Sequence, residues 1–589
     1  MRIRRTTDIV FIVHCVLCLA AVRSTSITND GKVNECKVDT NGDNNCPLWT
    51  SRDNQSHCVC IDHTYPFVQC AKIGNVSEAF MLVGNCITRS NNQTFVAGCP
   101  YYDHHQALIL YIPVPRNVLQ ISQMCTQFKR TGQYCGECEK EFSPSVYSYD
   151  LSCVKCSADD YYRKWGKYLA ITLLPTTVFY FVVLIFRFRA TSPQLNAYIM
   201  LCQLIASPYT LREFAKRDRL YDNTQISTRY LSGFFSSFLS IWNLDYFRLI
   251  YTPFCLHPHA SMLQVLSLDY ITALYPFVLI IFTYILVTLH YHGCPLVVWL
   301  WRPFRKCFAR LRRQWDIHNS LGDAFATFIL LSYVKILSVS IDILTFSIPV
   351  DECGNRQPAV PYYDGSVKYF GKEHLPFAVL AIVMLLVFTV FPILLLLMFP
   401  CRCFQKFLNK FHINSPALHM FMNIFQGCFK DGTEGTKDCR YFAAFYLMIR
   451  VIFFCELAVL GYSQMYVCTI SLLLMSILFF LYFPHKSPLF NKVDVIFIVL
   501  LVVFEMTELH VKSFDLPLVQ NVEGVFYLIP IVLLMYPVCL VLYISYKKSR
   551  RFQAIILHVK MFFSRHLSRQ PPAVNIPPVL NEASPLLPK

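Results

Sequence analysis

At 589 residues a soluble chain would need about three or four domains, but 54% of these residues are hydrophobic and only 15% charged, against about 25% charged in soluble domains. The apolar residues gather in uncharged runs of about 20, the length that crosses ~30 Å of hydrocarbon as a helix. The formal charge of +16 does not indicate a nucleic-acid partner, because Lys and Arg sit between the apolar runs and in the tail, as in loops held on the cytosolic side of a membrane.

Residues 1–26 read as a signal peptide. Residues 1–5 carry three arginines, 9–22 are apolar apart from His14, and Ala20, Ala21, Ser24 and Ser26 offer small residues for cleavage. An apolar core this short suits a signal peptide better than a span, with a retained signal anchor as the alternative. The chain beyond residue 26 then enters an oxidising lumen. Residues 27–134 are expected to form a Cys-rich, glycosylated, β- and loop-rich ectodomain, and 135–166 an EGF-like stalk. Twelve cysteines lie before the first strong span: Cys36, Cys46, Cys58, Cys60, Cys70, Cys86, Cys99, Cys125, Cys135, Cys138, Cys153 and Cys156. An even count in a lumenal segment implies a disulfide framework whose connectivity the sequence leaves open. The three N-x-[ST] acceptors, Asn54, Asn75 and Asn92, fall in the same segment, and glycosylation requires an exposed lumenal loop. Cys135-Gly-Glu-Cys138 and Cys153-Val-Lys-Cys156 also have zinc-ribbon spacing, but the oxidising compartment favours disulfides. No metal and no cofactor are expected. A cross-linked stalk directly above the first span would couple it rigidly to the ectodomain, and reduction would then disorder the stalk without unfolding the membrane part.

Spans are expected near 168–186, 195–211, 270–289, 324–350, 375–399, 441–460, 467–483, 493–506 and 525–546, so that 167–546 forms an all-α transmembrane bundle. The segment 231–256 is ambiguous, since Asp245 and Arg248 fall at its centre and a charge at mid-bilayer costs roughly 3 kcal/mol. Parity resolves it. If 231–256 lies along the outer surface, there are nine spans, the basic clusters at 302–313 and 547–551 are both cytosolic, and the inner loops and tail hold 24 Lys/Arg against 10 in the outer loops, as the positive-inside rule requires. Eight and ten spans are the alternatives. Nine spans place the N-terminus outside, the basic, Pro-rich tail 547–589 inside, and Cys255 and Cys353 in outer loops, where they are expected to bridge. Pro392, Pro530 and Pro537 interrupt spans and should kink them.

Ser415 and Pro416 read as N-cap and first helical position of a helix over 417–429, whose apolar Leu418, Phe421, Ile424, Phe425 and Phe429 recur at helical spacing and suit the membrane's inner face. The acids and glycines of 430–438 match neither an EF-hand nor a P-loop and read as a polar turn. Cys401 and Cys403, just inside a span, are candidate palmitoylation sites. In the tail Glu582, Leu586 and Leu587 form an ExxxLL pattern of the kind that endocytic adaptors read.

Several runs carry a resemblance: Gly136-Glu-Cys138 through Cys153-Val-Lys-Cys156, Ser192-Pro-Gln-Leu-Asn196, Trp242-Asn-Leu-Asp245, Trp301-Arg-Pro-Phe304 through Arg313-Gln-Trp-Asp316, and Phe425-Gln-Gly-Cys428-Phe-Lys-Asp-Gly-Thr433. They resemble a family of uncharacterised multipass proteins of early-branching animals with a Cys-rich, EGF- or Eph-receptor-like stalk. More distantly, the layout of signal, ectodomain and about nine spans is similar to the TRP-like polytopic proteins of fungi, which implies channel or transport function.

Ionisable residues inside spans are the strongest functional pointers, because they are expensive to hold there. Lys335 and Asp342 lie seven residues apart on one span, two turns and about 10.5 Å along the axis, hence on one face. Arg450 and Glu456 lie in another span, and cross-helix pairs Lys335–Glu456 or Asp342–Arg450 would neutralise both charges. Such a set reads as a polar pathway or as a pair that fixes helix packing. Glu505 and Glu508 offer a cation vestibule or a solvated end. Motifs of catalysis are absent, so no enzyme is expected. The sequence therefore points to an ion channel or transporter with an extracellular sensing domain, the alternative being a cell-surface receptor or adhesion-type protein that binds an extracellular ligand. Expected partners are membrane lipid, an unknown extracellular ligand or ion, an endocytic adaptor and further copies of the chain. The plasma membrane is the expected location, with an endolysosomal membrane as the alternative.

Overall fold

The computed structural model describes residues 50–52, 58–60, 68–73, 76–82, 85–90, 93–98, 111–113, 125–126, 129–145, 153–156, 161–186, 190, 192, 195–205, 241–244, 255, 257–258, 260–295, 297–299, 317–351, 356–411, 416–433, 435–459, 465–513, 535–536 and 539. Among them the N-terminal part is built of short antiparallel strands and the rest is mostly helical.

Strand β1 (Thr50–Arg52) pairs with β2 (Cys58–Cys60). Next, β3 (Val68–Ile73) and β4 (Val76–Leu82) pair over their whole length, and β5 (Asn85–Ser90) and β6 (Gln93–Gly98) do the same. Each of these two pairs is joined by only two residues, Gly74-Asn75 and Asn91-Asn92, types that suit tight hairpin turns. Strand β7 (Tyr111–Pro113) adds to the free edge of β4. Asn54, Asn75 and Asn92 lie outside the described residues.

Two small ladders come next, β8 (Arg130–Thr131) with β9 (Glu137–Cys138) and β10 (Phe142–Pro144) with β11 (Cys153–Lys155). Disulfides hold them where so few residues could not bury a core: Cys125–Cys135, Cys138–Cys153 and Cys156–Cys255. All four sulfurs of the ribbon-like spacing are thus consumed in disulfides, which removes the zinc alternative. The expected Cys255–Cys353 bridge is also replaced, since Cys255 is bonded to Cys156; Cys353 lies outside the described residues, as do Cys36, Cys46 and Cys99. The disulfides thus tie the 135–166 segment back to Cys125 and forward to Cys255.

The helices are α1 (Tyr161–Phe186), α2 (Asn196–Ile205), α3 (Met262–Ser267) and α4 (Asp269–Tyr291), then α5 (Ile317–Leu344). Ser261 and Gln264 form a reciprocal capping box at the start of α3, which satisfies two orphan donors there. After α5 come β12 (Phe346–Ser347), β13 (Val350–Asp351) and β14 (Val360–Pro361). Then come α6 (Leu375–Leu385), a π turn over Leu386–Val390 and α7 (Phe391–Met398). The π turn ends two residues before Pro392, whose ring and missing N–H disrupt the regular ladder. The last described helices are α8 (Arg402–Lys410), α9 (Pro416–Gln426), α10 (Phe442–Val459), α11 (Met465–Tyr482) and α12 (Pro488–Ser513).

Four of these segments are long and apolar enough to cross a membrane: Lys164–Phe186, Met262–Tyr291, Ser320–Leu344 and Leu375–Met398. They coincide with four of the expected spans, although the third ends at Leu344, where β12 begins, rather than at 350. Shorter apolar helices at Asn196–Ile205, Phe442–Phe454 and Leu472–Tyr482 lie within three further expected segments, each too short by itself to cross, and α12 covers 493–506. The expected span at 525–546 lies outside the described residues except for 535, 536 and 539. Of segment 231–256 only 241–244 and 255 are described. Ile241–Asn243 form a short 3-10 turn, with Asn243 and Leu244 buried against α2 and α5. Polar pairing seats it: Asn243 and the Trp242 carbonyl find hydrogen-bond partners on Gln203 of α2.

Helix α5 is the centre of the bundle. Of its span 94% is buried, against 28–39% for the other three, so those three present apolar side chains such as Val278, Ile281 and Phe282 outward. One hydrophobic core runs from the strands into the bundle without a break, through Phe95, Ala97 and Tyr134, then Met262 and Tyr270, to Ile336, Ile343, Tyr363 and Ala381. Strand β13 pairs with β6, so the chain leaving α5 enters the N-terminal domain's sheet. Ser143 Oγ donates to the His257 carbonyl at 2.8 Å. A Cβ added at Gly136 would stand 2.7 Å from Ser366 N, and one at Gly365 2.8 Å from Tyr134 Cβ. Only glycines allow the stalk and the loop after β14 to approach so closely.

Candidate functional site

Two clusters of buried ionisable groups stand out among the described residues. At the end of the bundle nearest the strands, Lys335 Nζ of α5 stands 3.1 Å from Asp269 Oδ1 in the first turn of α4. Lys335 is 7% exposed and Asp269 33%, so the pair is shielded more at the cation. One turn beyond, Tyr270 and Ser340 share a hydrogen bond of 2.7 Å. Asp342 Oδ1 accepts from the Tyr363 hydroxyl at 3.1 Å. His374 locks the chain end of α5 in place: its Nδ1 accepts from Phe370 N at 3.0 Å, which leaves Nε2 as the donor to the Ile343 carbonyl, also at 3.0 Å. Just outside, the Asp364 carboxyl is raised above the usual carboxylate range by burial, with Glu137 adding to the shift while Ser366 and Arg130 oppose it.

Lys335 pairs with Asp269, and among the described residues Asp342 meets Tyr363 and not Arg450; the expected Lys335–Glu456 pair falls outside the described residues, as do the side chains of Glu505 and Glu508. The physical reason is helix order. Asp269 heads α4, which packs along α5, whereas Arg450 on α10 faces α2.

The second cluster is built around Arg450, which is fully buried. Its Nε donates to Gln203 Oε1 at 2.9 Å and its Nη1 to the Tyr446 carbonyl at 2.6 Å, while Nη2 has no partner. Gln203 is the junction of three elements, because its Nε2 donates to the carbonyls of Trp242 at 3.0 Å and Leu330 at 3.1 Å. Four residues before Arg450, hence on the same face of α10, the Tyr446 hydroxyl donates to Asp494 Oδ2 of α12. The same oxygen meets His485 Nε2. Asn491 fixes His485 through its backbone, accepting from His485 N at 2.8 Å, and the Phe429 ring stacks on the imidazole at 4.6 Å. Asp494 Oδ1 and His485 Nδ1 are left without partners, although both residues are 1% exposed or less. A buried polar atom without a partner is costly, so this cluster is held at an energetic cost.

His485 lies near a cavity of about 460 Å³ walled by Phe399, His419, Asn423, Gln426, Gly427, Phe429, Asp431, Arg440 and Lys486. Segment 430–438 is the polar turn the sequence indicates: Asp431 bridges to Asp438, accepts from Thr433 Oγ1 at 2.7 Å and from Lys486 Nζ at 3.0 Å. Those bonds, Thr433's first, hold the Asp431 carboxyl well below the usual range. No group of His, Cys, Asp or Glu able to hold a metal occurs among the described residues. Helix α9 begins at Pro416 as expected, but Met422, Phe425 and Gln426 are buried and Phe421 packs on Phe325 of α5 at 5.6 Å. Its apolar face is thus spent on the bundle rather than on lipid.

Sequence reasoning missed Gln203, Tyr446, His485 and Asp269 as site residues. The available signal was a charge bracketing an apolar run, Asp494, and a polar side chain inside a short one, Gln203. No family model matches the chain, and no curated protein or solved structure shows significant similarity to it.

Proposed function

We propose that this chain is a polytopic membrane transport protein, a channel or transporter of TRP-like layout whose disulfide-linked N-terminal domain faces outward and senses an extracellular ligand or ion. The observation that carries this reading is the run Arg450, Tyr446, Asp494, His485, which passes from the middle of α10 to His485, stacked on Phe429 of the cavity wall. Ionisable groups inside a bundle are expensive, and chains of Asp and His there serve ion and proton pathways. In this reading the chain crosses nine times, α2, α10, α11, α12 and the 525–546 segment completing the count begun by the four long spans. The signal peptide is removed, Asn54, Asn75 and Asn92 carry glycans, and the cytoplasmic tail presents Glu582, Leu586 and Leu587 to endocytic adaptors. The protein resides at the plasma membrane, with copies associating around the pathway.

The test is whole-cell recording with surface delivery verified by labelling, comparing the native chain with Arg450→Gln and Asp494→Asn. A conductance whose selectivity changes in either variant supports the reading. No current over the voltage, calcium and pH ranges tried overturns it. A second reading, a receptor or adhesion-type protein, is favoured by β13. That strand pairs the chain leaving α5 with the N-terminal domain's sheet, a direct mechanical link that a transporter does not need.

A further inference from the structure

The face formed by α8 and the nearby cavity has a chemistry of its own. Helix α8 starts three residues after α7 ends at Met398, so it lies where a long apolar span meets the membrane boundary. Arg402, Lys406 and Lys410 recur at i, i+4 and i+8 and are all exposed, a single basic stripe on a helix that carries no acid. On the same helix and just past it, Phe407 and Phe411 are 51% and 55% exposed, which a soluble surface would not favour and an interfacial helix would. The helix itself begins beside the cavity, because Gln405 Nε2 of α8 donates at 2.7 Å to the carbonyl of Phe399, which lines the cavity wall. Its volume falls within the ~300–1,000 Å³ of small-ligand sites.

The lining specifies more than charge. Arg440 and Lys486 are held in position by Asp438 and Asp431, with Asn423 and His419 as further polar groups. Gln426 is 2% exposed. Its Nε2 is used on the Leu396 carbonyl, and its Oε1 has no partner, so that oxygen awaits a donor such as a hydroxyl. We propose that this face binds the phosphorylated headgroup of an inositol phospholipid, the phosphates against Arg402, Lys406, Lys410, Lys486 and Arg440 and a ring hydroxyl at Gln426 Oε1. Basic pockets at the cytoplasmic end of membrane helices suit such headgroups. The acyl chains lie against Phe407 and Phe411.

The test uses the purified full-length protein in nanodiscs of phosphatidylcholine. A fluorescent phosphatidylinositol 4,5-bisphosphate is titrated against it, with phosphatidylserine at matched charge as competitor. The expected result is preferential binding of the inositol lipid, weakened about tenfold or more in the triple variant Arg402→Gln, Lys406→Gln, Lys410→Gln. These residues are exposed, so the variant keeps its fold, checked by an unchanged elution profile. Gln426→Glu, similar in shape but anionic, should weaken binding further. Equal competition by phosphatidylserine, or undiminished binding by the triple variant, overturns the proposal. Lys410→Cys labelled by an impermeant maleimide only after permeabilisation is also expected. Labelling on intact cells overturns the lipid site and the orientation, yet leaves any measured conductance standing, so failure here is distinguishable from failure of the transport reading.

Discussion

Replacing Tyr446 by Phe removes one hydroxyl at a position no water reaches, since Tyr446 is 1% exposed and Asp494 fully buried. The lost hydrogen bond runs to a carboxylate, a class worth about 1.5–3 kcal/mol. Asp494 then keeps only His485 on Oδ2 and still has nothing on Oδ1, which puts the expected cost in the upper half of that range. Asp494→Asn alone turns one acceptor oxygen into an NH2 group at a place where two donors converge, and should cost about 3 kcal/mol, the upper end of the penalty for leaving a buried donor unsatisfied. Both substitutions remove the same bond. The double variant should therefore be less destabilised than the two singles together by about 1–2 kcal/mol. A denaturant titration of the purified protein in mixed micelles reads each value from the midpoint at constant slope. Additivity within about 0.5 kcal/mol would refute the contact and, with it, the continuity of the run from Arg450 to His485.

Three further outcomes are expected. Asp364 has a raised folded-state pKa, so its protonated form is favoured in the fold. Its contribution is complete below the ordinary value of about 3.9 and is lost as pH rises through the raised one. Hydrogen exchange of residues 129–145 should accordingly quicken across that window in the native chain, and Asp364→Asn should flatten the dependence. Gly136→Ala and Gly365→Ala push a methyl within 2.8 Å of neighbouring main-chain or Cβ atoms, an overpacking cost of about 1–3 kcal/mol, seen as faster proteolysis of the stalk. Gly166→Ala, with nothing within 4 Å, should be silent in the same assay. Removing the Cys156–Cys255 bridge as the double serine variant opens a separation of 99 residues, which chain entropy alone would value at about 4.7 kcal/mol. Because α1 and α2 lie in that loop and restrain its ends independently, the measured loss should be smaller, about 2 kcal/mol.

The long spans were legible in the sequence because hydrocarbon thickness imposes a length that no other structure requires. The polar interior was not, and Lys335 shows why. Helical period puts Lys335 and Asp342 on one face correctly, but period carries no information about which helix lies opposite. Asp269, 66 positions away in sequence, occupies the first turn of α4 and takes the lysine. Arg450 likewise found an amide, Gln203, where charge balance had led to the expectation of a carboxylate. Disulfide connectivity was open for the same reason in miniature: spacing groups Cys135, Cys138, Cys153 and Cys156 as two CxxC pairs, while the fold sends the first back to Cys125 and the last forward to Cys255, displacing the expected Cys255–Cys353 bridge. At 241–244 the charges at 245 and 248 drew the reading, whereas the amide of Asn243 and the Trp242 carbonyl are what seat the turn.

The two functional readings meet in α5. Its chain end is fixed by Tyr369 and His374 and runs on into the sheet through β13. Its middle gives carbonyls to Gln203, which holds Arg450, and its first half packs Phe325 on Phe421 of α9. A helix buried along its length in a close-packed interior transmits displacement rather than absorbing it. If a ligand on the N-terminal domain shifts α5, the Gln203–Arg450 contact must shift as well, and linkage requires the effect to run in both directions. A pathway variant such as Arg450→Gln should then alter the exposure of the stalk disulfides to reductant, although Arg450 touches none of them. An unchanged reduction rate in a correctly folded variant would uncouple the two ends, leaving the sheet contact of β13 as an anchor and nothing more.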